Sequence, residues 1–232
     1  MNNSSDAELT VAIPAFNEAE IIEENINEIR EWLGQNLPDV TYEVLIVDDG
    51  SNDGMTEILK KKTKINRCLR VVSHDRNMGR GRAIRTAFEE SIGRYIIILD
   101  ADLSYAPEHI SLLLEPLRND EADITLASPY HKEGKIENVP FFRALVSRLG
   151  NKILANSFSG KSKTVTCIVR GFTRKVASQL DLLNEGKDLH LELLYKADLL
   201  NFRIVEVPAK LVWRDSRRNK LKDSSGSLLT NN

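Results

Sequence analysis

The chain has 232 residues, 41% of them hydrophobic and 28% charged, with a formal charge of −2. That describes an ordinary globular protein with enough chain for one large core. A near-neutral balance gives no global attraction for nucleic acid, so any anionic ligand needs a local patch. Cys68 and Cys167 are the only cysteines; there is no disulfide framework and no C-x-x-C metal signature, as suits a reducing, cytoplasmic compartment. The start, MNNSSDAELT, lacks a signal-peptide pattern, and no apolar run approaches the roughly 18 residues of a membrane span.

Leu9 to Pro14 reads as a strand, and Ile22, Ile26, Ile29 and Leu33 then recur at the spacing of one helix face. YEVLIVD predicts a second strand and Asp53 to Lys62 a helix. LRVVS and Arg80 to Ser91 repeat the alternation. RYIIIL, a helix opened by Pro107 with Ile110, Leu113, Leu114 and Leu117 on one side, and DITLAS follow. β-Branched runs alternating with amphipathic helices predict an α/β fold, a mainly parallel central sheet with helices on both faces. From His131 to Lys175 ten Lys or Arg face two Glu. A short strand, FRIVEVP, precedes a basic end, WRDSRRNKLK, and the polar DSSGSLLTNN reads as a frayed tail.

In such sheets ligands collect beyond the carboxyl ends of the strands. Three ends carry polar groups: PAFNE, DDGSND and DAD. If the fourth strand stays extended through DAD, Asp100 and Asp102 project to one side with Ala101 leaving room between them. Two close carboxylates repel unless a cation compensates, so DAD is read as a clamp for Mg or Mn and a diphosphate; capping of the following turn is the plainer alternative. Asp48 and Asp49 are placed to accept hydrogen bonds from a ribose or base, or to make an Asx turn. Glu18 in PAFNE stands beside the same pocket or favours a helix dipole. NMGRGRA, with Arg80, offers phosphate contacts at a helix mouth. Neither G-x-x-x-x-G-K-[ST] nor G-x-G-x-x-G is present, so P-loop ATP hydrolysis and hydride transfer fall in rank.

With these residues assembled, the chain resembles the inverting family 2 glycosyltransferases of GT-A fold, in particular the dolichyl-phosphate mannose or glucose synthases and their polyprenyl-phosphate relatives. The motifs run in the family's order: VAIPAFNE, VDDGSNDG, NMGRGRA, DADLS, the SPY segment, LHLELLY, and RIVEVP with WRDSRRNK. The resemblance implies one domain over 1–222, with a nucleotide-binding half at about 9–128, an acceptor half at about 129–222 and a flexible tail at 223–232. It implies a nucleotide pocket lined by Pro14, Ala15, Asn17, Glu18 and Asp48, joined by Asp49, Arg80 and Ala101, and a metal-bound diphosphate at Asp100 and Asp102. Arg143 and Ser147 match an acceptor-phosphate pair, and Arg214 and Lys220 match a late Arg and Lys that reach the phosphates. The implied activity moves mannose or glucose from GDP-mannose or UDP-glucose to a polyprenyl or dolichyl phosphate, peripherally at the cytoplasmic membrane face. The alternatives are a carbohydrate-hydroxyl acceptor in cell-surface polysaccharide synthesis, or a non-catalytic nucleotide-sugar binding module.

Three departures from the family's pattern stand out. Pro129 occupies a position where relatives often carry Arg, Ser104 one where Gln is common, and Arg217 and Asn219 stand where Gly and Ser are usual. In PFFRALVSRLGNKIL, Phe142, Val146, Leu149 and Ile153 share a face flanked by basic residues, the layout of an interfacial helix or of a core helix with solvated edges. A hydroxyl acceptor needs a base, for which Glu192 is the candidate; its other role is to pair with Arg or Lys around the acceptor site. His74, His109, His131 and His190 show no ligand spacing and read as surface or capping groups.

Overall fold

A computed structural model describes residues 7–139, 164–186 and 188–213. Arg143, Ser147, Arg214, Lys220, the 142–153 helical pattern and the 223–232 tail lie outside the described residues. In chain order the elements are β1 (Leu9–Ala15), α1 (Ile22–Asn36), β2 (Tyr42–Asp48), α2 (Met55–Ile65), β3 (Leu69–Ser73), α3 (Arg80–Glu90), β4 (Tyr95–Ile98), α4 (His109–Arg118) and β5 (Ile124–Ser128). There follow β6 (Lys135–Glu137), β7 (Arg170–Thr173), α5 (Arg174–Gln179), α6 (Leu189–Leu199), β8 (Ile204–Pro208) and β9 (Lys210–Val212).

Seven strands form one sheet in the order β3-β2-β1-β4-β7-β5-β8, and β6 pairs with β9 alongside it. β1 lies between β2 and β4, parallel to both, in a register that sets Ala15 beside Asp48 and Ala12 beside Ile98. The carboxyl ends of β1, β2 and β4 therefore open on the same edge. The predicted apolar faces are where the core forms: Ile22, Ile26, Ile29 and Leu33 of α1, and Ile110, Leu113, Leu114 and Leu117 of α4, are all buried.

One strand departs from the parallel expectation. β7 enters antiparallel between β4 and β5, pairing Ile98 with Arg170 and Ile124 with Phe172. Its sequence, RGFT, has no alternating or β-branched run, so its strand character comes from ladder partners on both sides and not from its own propensity. Gly171 is required by contact: an added Cβ would lie 2.4 Å from Thr125 Oγ1 and 3.0 Å from Leu117 Cδ1. Gly171→Ala is accordingly expected to cost about 1–3 kcal/mol by overpacking, read as a lower urea midpoint with an unchanged m-value; an unaltered midpoint would contradict this packing.

One carboxylate inside the sheet is fully matched. Buried Glu43 accepts from Thr10 Oγ1 at 2.6 Å, from Ile92 N at 2.8 Å and from Arg70 Nη1 at 2.8 Å, tying β1, β2, β3 and the entry to β4. Charged hydrogen bonds of this kind keep a carboxylate tolerable in low dielectric.

Candidate active site

The first cleft sits beyond β1, β2 and β4 and encloses about 280 Å³. Of the residues singled out in the sequence, it gathers Pro14, Ala15, Glu18, Asp49, Arg80, Asp100, Ala101 and Asp102. Asp48 and Asn17 are not among its lining residues. Asp48 is fully buried, accepting from Ser51 N at 3.0 Å and Thr56 Oγ1 at 2.6 Å, so the turn role describes it. Asn17 has a left-handed backbone (φ 56°), receives Asn52 N at 2.9 Å and donates its own N–H to Ser51 Oγ at 2.9 Å. Both residues hold the loop behind the cleft wall.

The DAD geometry is corrected. β4 ends at Ile98; Leu99 N still reaches Ala12 O at 3.0 Å, and the chain then turns, with Leu103 N donating to Asp100 O at 3.2 Å and Leu103 at φ 49°. Asp100 and Asp102 share the cleft because of this turn and not because of strand alternation. Asn25 Nδ2 fixes the turn through Ala101 O at 2.7 Å. Ser104 donates both its backbone N–H (2.9 Å) and its hydroxyl (2.7 Å) to Asp102 Oδ1, so this residue, a departure from the family's pattern, orients a carboxylate.

Glu18, Asp49, Asp100 and Asp102 face a cleft in which Arg80 is the one lining cation among the described residues. Burial and then the charge of Asp102 raise the Asp100 carboxyl, Arg80 draws it back and Glu18 adds to the rise, leaving it near about 7. Such crowding favours a cation. Among the described residues no group of three or more His, Cys, Asp or Glu is poised around a metal position. Two carboxylates with the remaining positions left to diphosphate oxygens and water suit Mg or Mn, which rarely take an all-protein cage. Asp100 and Asp102 fit that donor set.

Asp49 builds the opposite wall. It accepts from Met78 N and Gly79 N, each at 2.9 Å, and from His74 Nδ1 at 2.7 Å, while His74 Nε2 meets Thr86 Oγ1 at 2.9 Å. His74 is thus an internal strut with a side chain 9% exposed, not the surface group expected from its lack of ligand spacing. His190 is buried too, held down to about 3 by burial and by Arg170 and Arg80, hence neutral. His109 caps locally, its Nδ1 bonding Ala106 O at 2.8 Å, while its Nε2 accepts from Lys210 N at 2.9 Å.

A second cavity of about 200 Å³ adjoins the first, sharing Arg80, Asp100 and Ile168 and adding Tyr105, Pro129, Tyr130, Thr164, Thr166 and Cys167. Pro129 lines it, so the cation expected from relatives at that position is replaced by an apolar ring. Burial pushes the Cys167 thiol up to about 11 and the Tyr105 phenol above its ordinary range, so both are neutral. Behind Cys167, fully buried Arg170 donates from Nη2 to Val165 O at 2.6 Å. Phe16, Asn77, Ala83 and Ile168 complete the first cleft without having been singled out. Phe16 and Asn77 lie inside noted motifs, whereas Ile168 comes from a segment with no local signal.

Glu192 is not available as a base. Oε1 accepts from Leu183 N at 2.8 Å and Lys196 Nζ at 2.7 Å, and Oε2 from Asn184 N at 2.8 Å and Asn184 Nδ2 at 2.9 Å. Burial raises its carboxyl, but these donors, Lys196 first, outweigh it and hold it at about 2. Pairing with a Lys is what is observed, but the side chain lines neither cavity, so the pair does not sit at a candidate acceptor site. No helix among the described residues is long and apolar enough to cross a membrane.

The chain is similar to several known proteins. The chain is 30% identical over 217 residues to a dolichol-phosphate mannosyltransferase of Pyrococcus furiosus, covering 92% of this chain and 59% of that protein. It is 29% identical over 180 residues to an undecaprenyl-phosphate 4-deoxy-4-formamido-L-arabinose transferase of Aeromonas hydrophila, covering 76% and 52%. The chain thus spans little more than half the length of these relatives. In three dimensions it is similar to glucosyl-3-phosphoglycerate synthase of Mycobacterium tuberculosis in complex with Mn2+, UDP and glucosyl-3-phosphoglycerate, with a TM-score of 0.68, 20% identity, and coverage of 96% of this chain and 77% of that one. The fold is GT-A, as the motif order implies. The family model for glycosyl transferase family 2 matches residues 10–181, and the chain belongs to that family.

Proposed function

We propose that this protein transfers a hexose, mannose or glucose, from a nucleotide sugar to a polyprenyl or dolichyl phosphate with inversion, using Mg or Mn. The observation that carries the proposal is the shared wall of the two cavities: Arg80 and Asp100 border both, so a diphosphate in the first would present its sugar toward the second. The lipid-phosphate chemistry in the names of the two curated relatives, and the Mn2+ and UDP held by the structural neighbour, support the same assignment.

In this scheme Pro14, Ala15, Glu18, Asp49 and Ala101 bound the nucleotide, and Arg80 meets the diphosphate. Asp100 and Asp102 would hold the metal, which when bound neutralises charge on the departing diphosphate. Asp102 is oriented for this by Ser104. An acceptor phosphate with a second pKa of about 6 is largely ionised at neutral pH and needs no protein base. The bonding of Glu192 favours this acceptor over a sugar hydroxyl, which requires deprotonation. Arg143 and Ser147 are assigned to the acceptor phosphate, Arg214 and Lys220 to the diphosphate, and the basic 131–175 stretch to a membrane surface; one domain over 1–222 performs the reaction.

The test is transfer of radiolabel from GDP-mannose and from UDP-glucose into an organic-extractable product. Incorporation is expected only with both Mg or Mn and a polyprenyl phosphate. Equal transfer to a water-soluble alcohol would reject the acceptor, and nucleotide binding without any turnover would favour a non-catalytic module.

A further inference from the structure

The Glu192 carboxylate sits outside both cavities, yet four donors converge on it. Two of these are consecutive backbone N–H groups, of Leu183 and Asn184, in a segment with no regular secondary structure. Lys196 extends the clamp by also bonding Asp181 O. The segment is therefore fastened to α6 by charge-assisted bonds, the stronger class.

Its other side faces the first two turns of α3. Gly81 N donates to Glu185 O at 2.7 Å, and Arg85 Nη1 reaches Leu182 O at 3.1 Å and Leu183 O at 3.3 Å. The approach leaves no room for side chains: a Cβ on Gly79 would come 2.6 Å from Glu185 O, and one on Gly81 2.4 Å from Asn184 O. Gly79 is also held from the cleft side by Asp49 and has φ 92°. Arg80 lies between these two glycines, so its backbone is gripped on one flank by Asp49 and on the other by the Glu192-anchored segment.

We infer that Glu192 is a positioning residue for the transfer: by pinning residues 183–185 against the glycine-flanked start of α3, it fixes Arg80 at the mouth of both cavities for the donor diphosphate. The inference rests on the donor-site assignment above and gives LHLELLY a role in leaving-group recognition. A side chain acting this way changes affinity for a second phosphate while leaving contacts to base and ribose alone, which a merely structural side chain does not.

Calorimetry on the full chain with Mn2+ separates these cases, using GDP, UDP, GMP and UMP as probes. Glu192→Gln is expected to weaken the diphosphate that the wild type binds by about tenfold, with the matching monophosphate changed less than about twofold. Gly81→Ala, which pushes the segment away without touching Glu192, gives the same pattern. Asn184→Ala, at an exposed site, removes one of the four bonds and gives a smaller loss of the same kind even where the other variants unfold. In an Arg80→Ala background Glu192→Gln has no further effect. Unchanged diphosphate affinity in folded variants, equal losses for mono- and diphosphates, or additivity with Arg80→Ala would each overturn the inference. A wild type that binds neither GDP nor UDP would instead overturn the donor-site assignment, and the inference with it.

Discussion

Asp100→Asn is expected to reduce turnover about 10²–10³-fold, the size of effect seen when one preorganised electrostatic contact to a departing group is removed. The same variant should be no less stable than the wild type at pH 8. Asp100 shares its cleft with Asp102, Glu18 and Asp49, against Arg80 as the lining cation among the described residues, and burial and Asp102 both press its carboxyl upward. Neutralising it removes like-charge repulsion that the metal-free protein must otherwise bear. Asp102→Asn should lose turnover similarly, but its hydrogen bonds to Ser104 mean that stability gains less. Turnover assays paired with thermal melts check this; a large fall in Tm for Asp100→Asn would make the carboxylate a structural cap, the plainer role that DAD allows.

Asp49→Ala should act in the opposite sense on stability. It removes the acceptor of Met78 N, Gly79 N and His74 Nδ1 together, all in a shielded site. Leaving several buried donors unpaired costs about 3–5 kcal/mol, a fall of roughly 10 °C in Tm for a chain of this size. Because these bonds hold the loop that leads into α3, nucleotide affinity should fall as well. Asp49→Asn, which keeps one acceptor oxygen, should lie between. An Asp49→Ala protein with wild-type Tm and wild-type nucleotide affinity would mean that the loop is held by something else.

How far these features were legible in the residues varies with their physical origin. α1 and α4 announce themselves because their buried faces recur at helical spacing, over three turns in α1 and two in α4. β1, β2 and β4 do so because β-branched runs buried on both sides have few other uses. RGFT carries no such pattern, and its place between β4 and β5 is a tertiary fact. The convergence of Asp49, Asp100 and Asp102 followed from strand ends meeting at one edge, although the geometry bringing Asp100 and Asp102 together is a turn that alternation does not describe. Asp48 looked equivalent to Asp49 in the sequence; a one-residue step along a strand end sends one carboxylate into the loop interior and leaves the other at the cleft. Glu192 was legible only as a partner for Arg or Lys, which the bond to Lys196 matches; its bonds to the backbone N–H groups of residues eight and nine positions earlier left no mark in composition.

The account depends most on the claim that a cation held by Asp100 and Asp102 grips the nucleotide's diphosphate. The direct measurement is a calorimetric titration of wild type and Asp100→Asn/Asp102→Asn with GDP and with UDP, each with Mn2+ and with chelator. The prediction is that the wild type binds one of these nucleotides at least tenfold more tightly with Mn2+, a difference of about 1.4 kcal/mol, and that the double variant shows no metal enhancement. Binding of equal strength with and without Mn2+ in the wild type, or an enhancement that survives loss of both carboxylates, would contradict it.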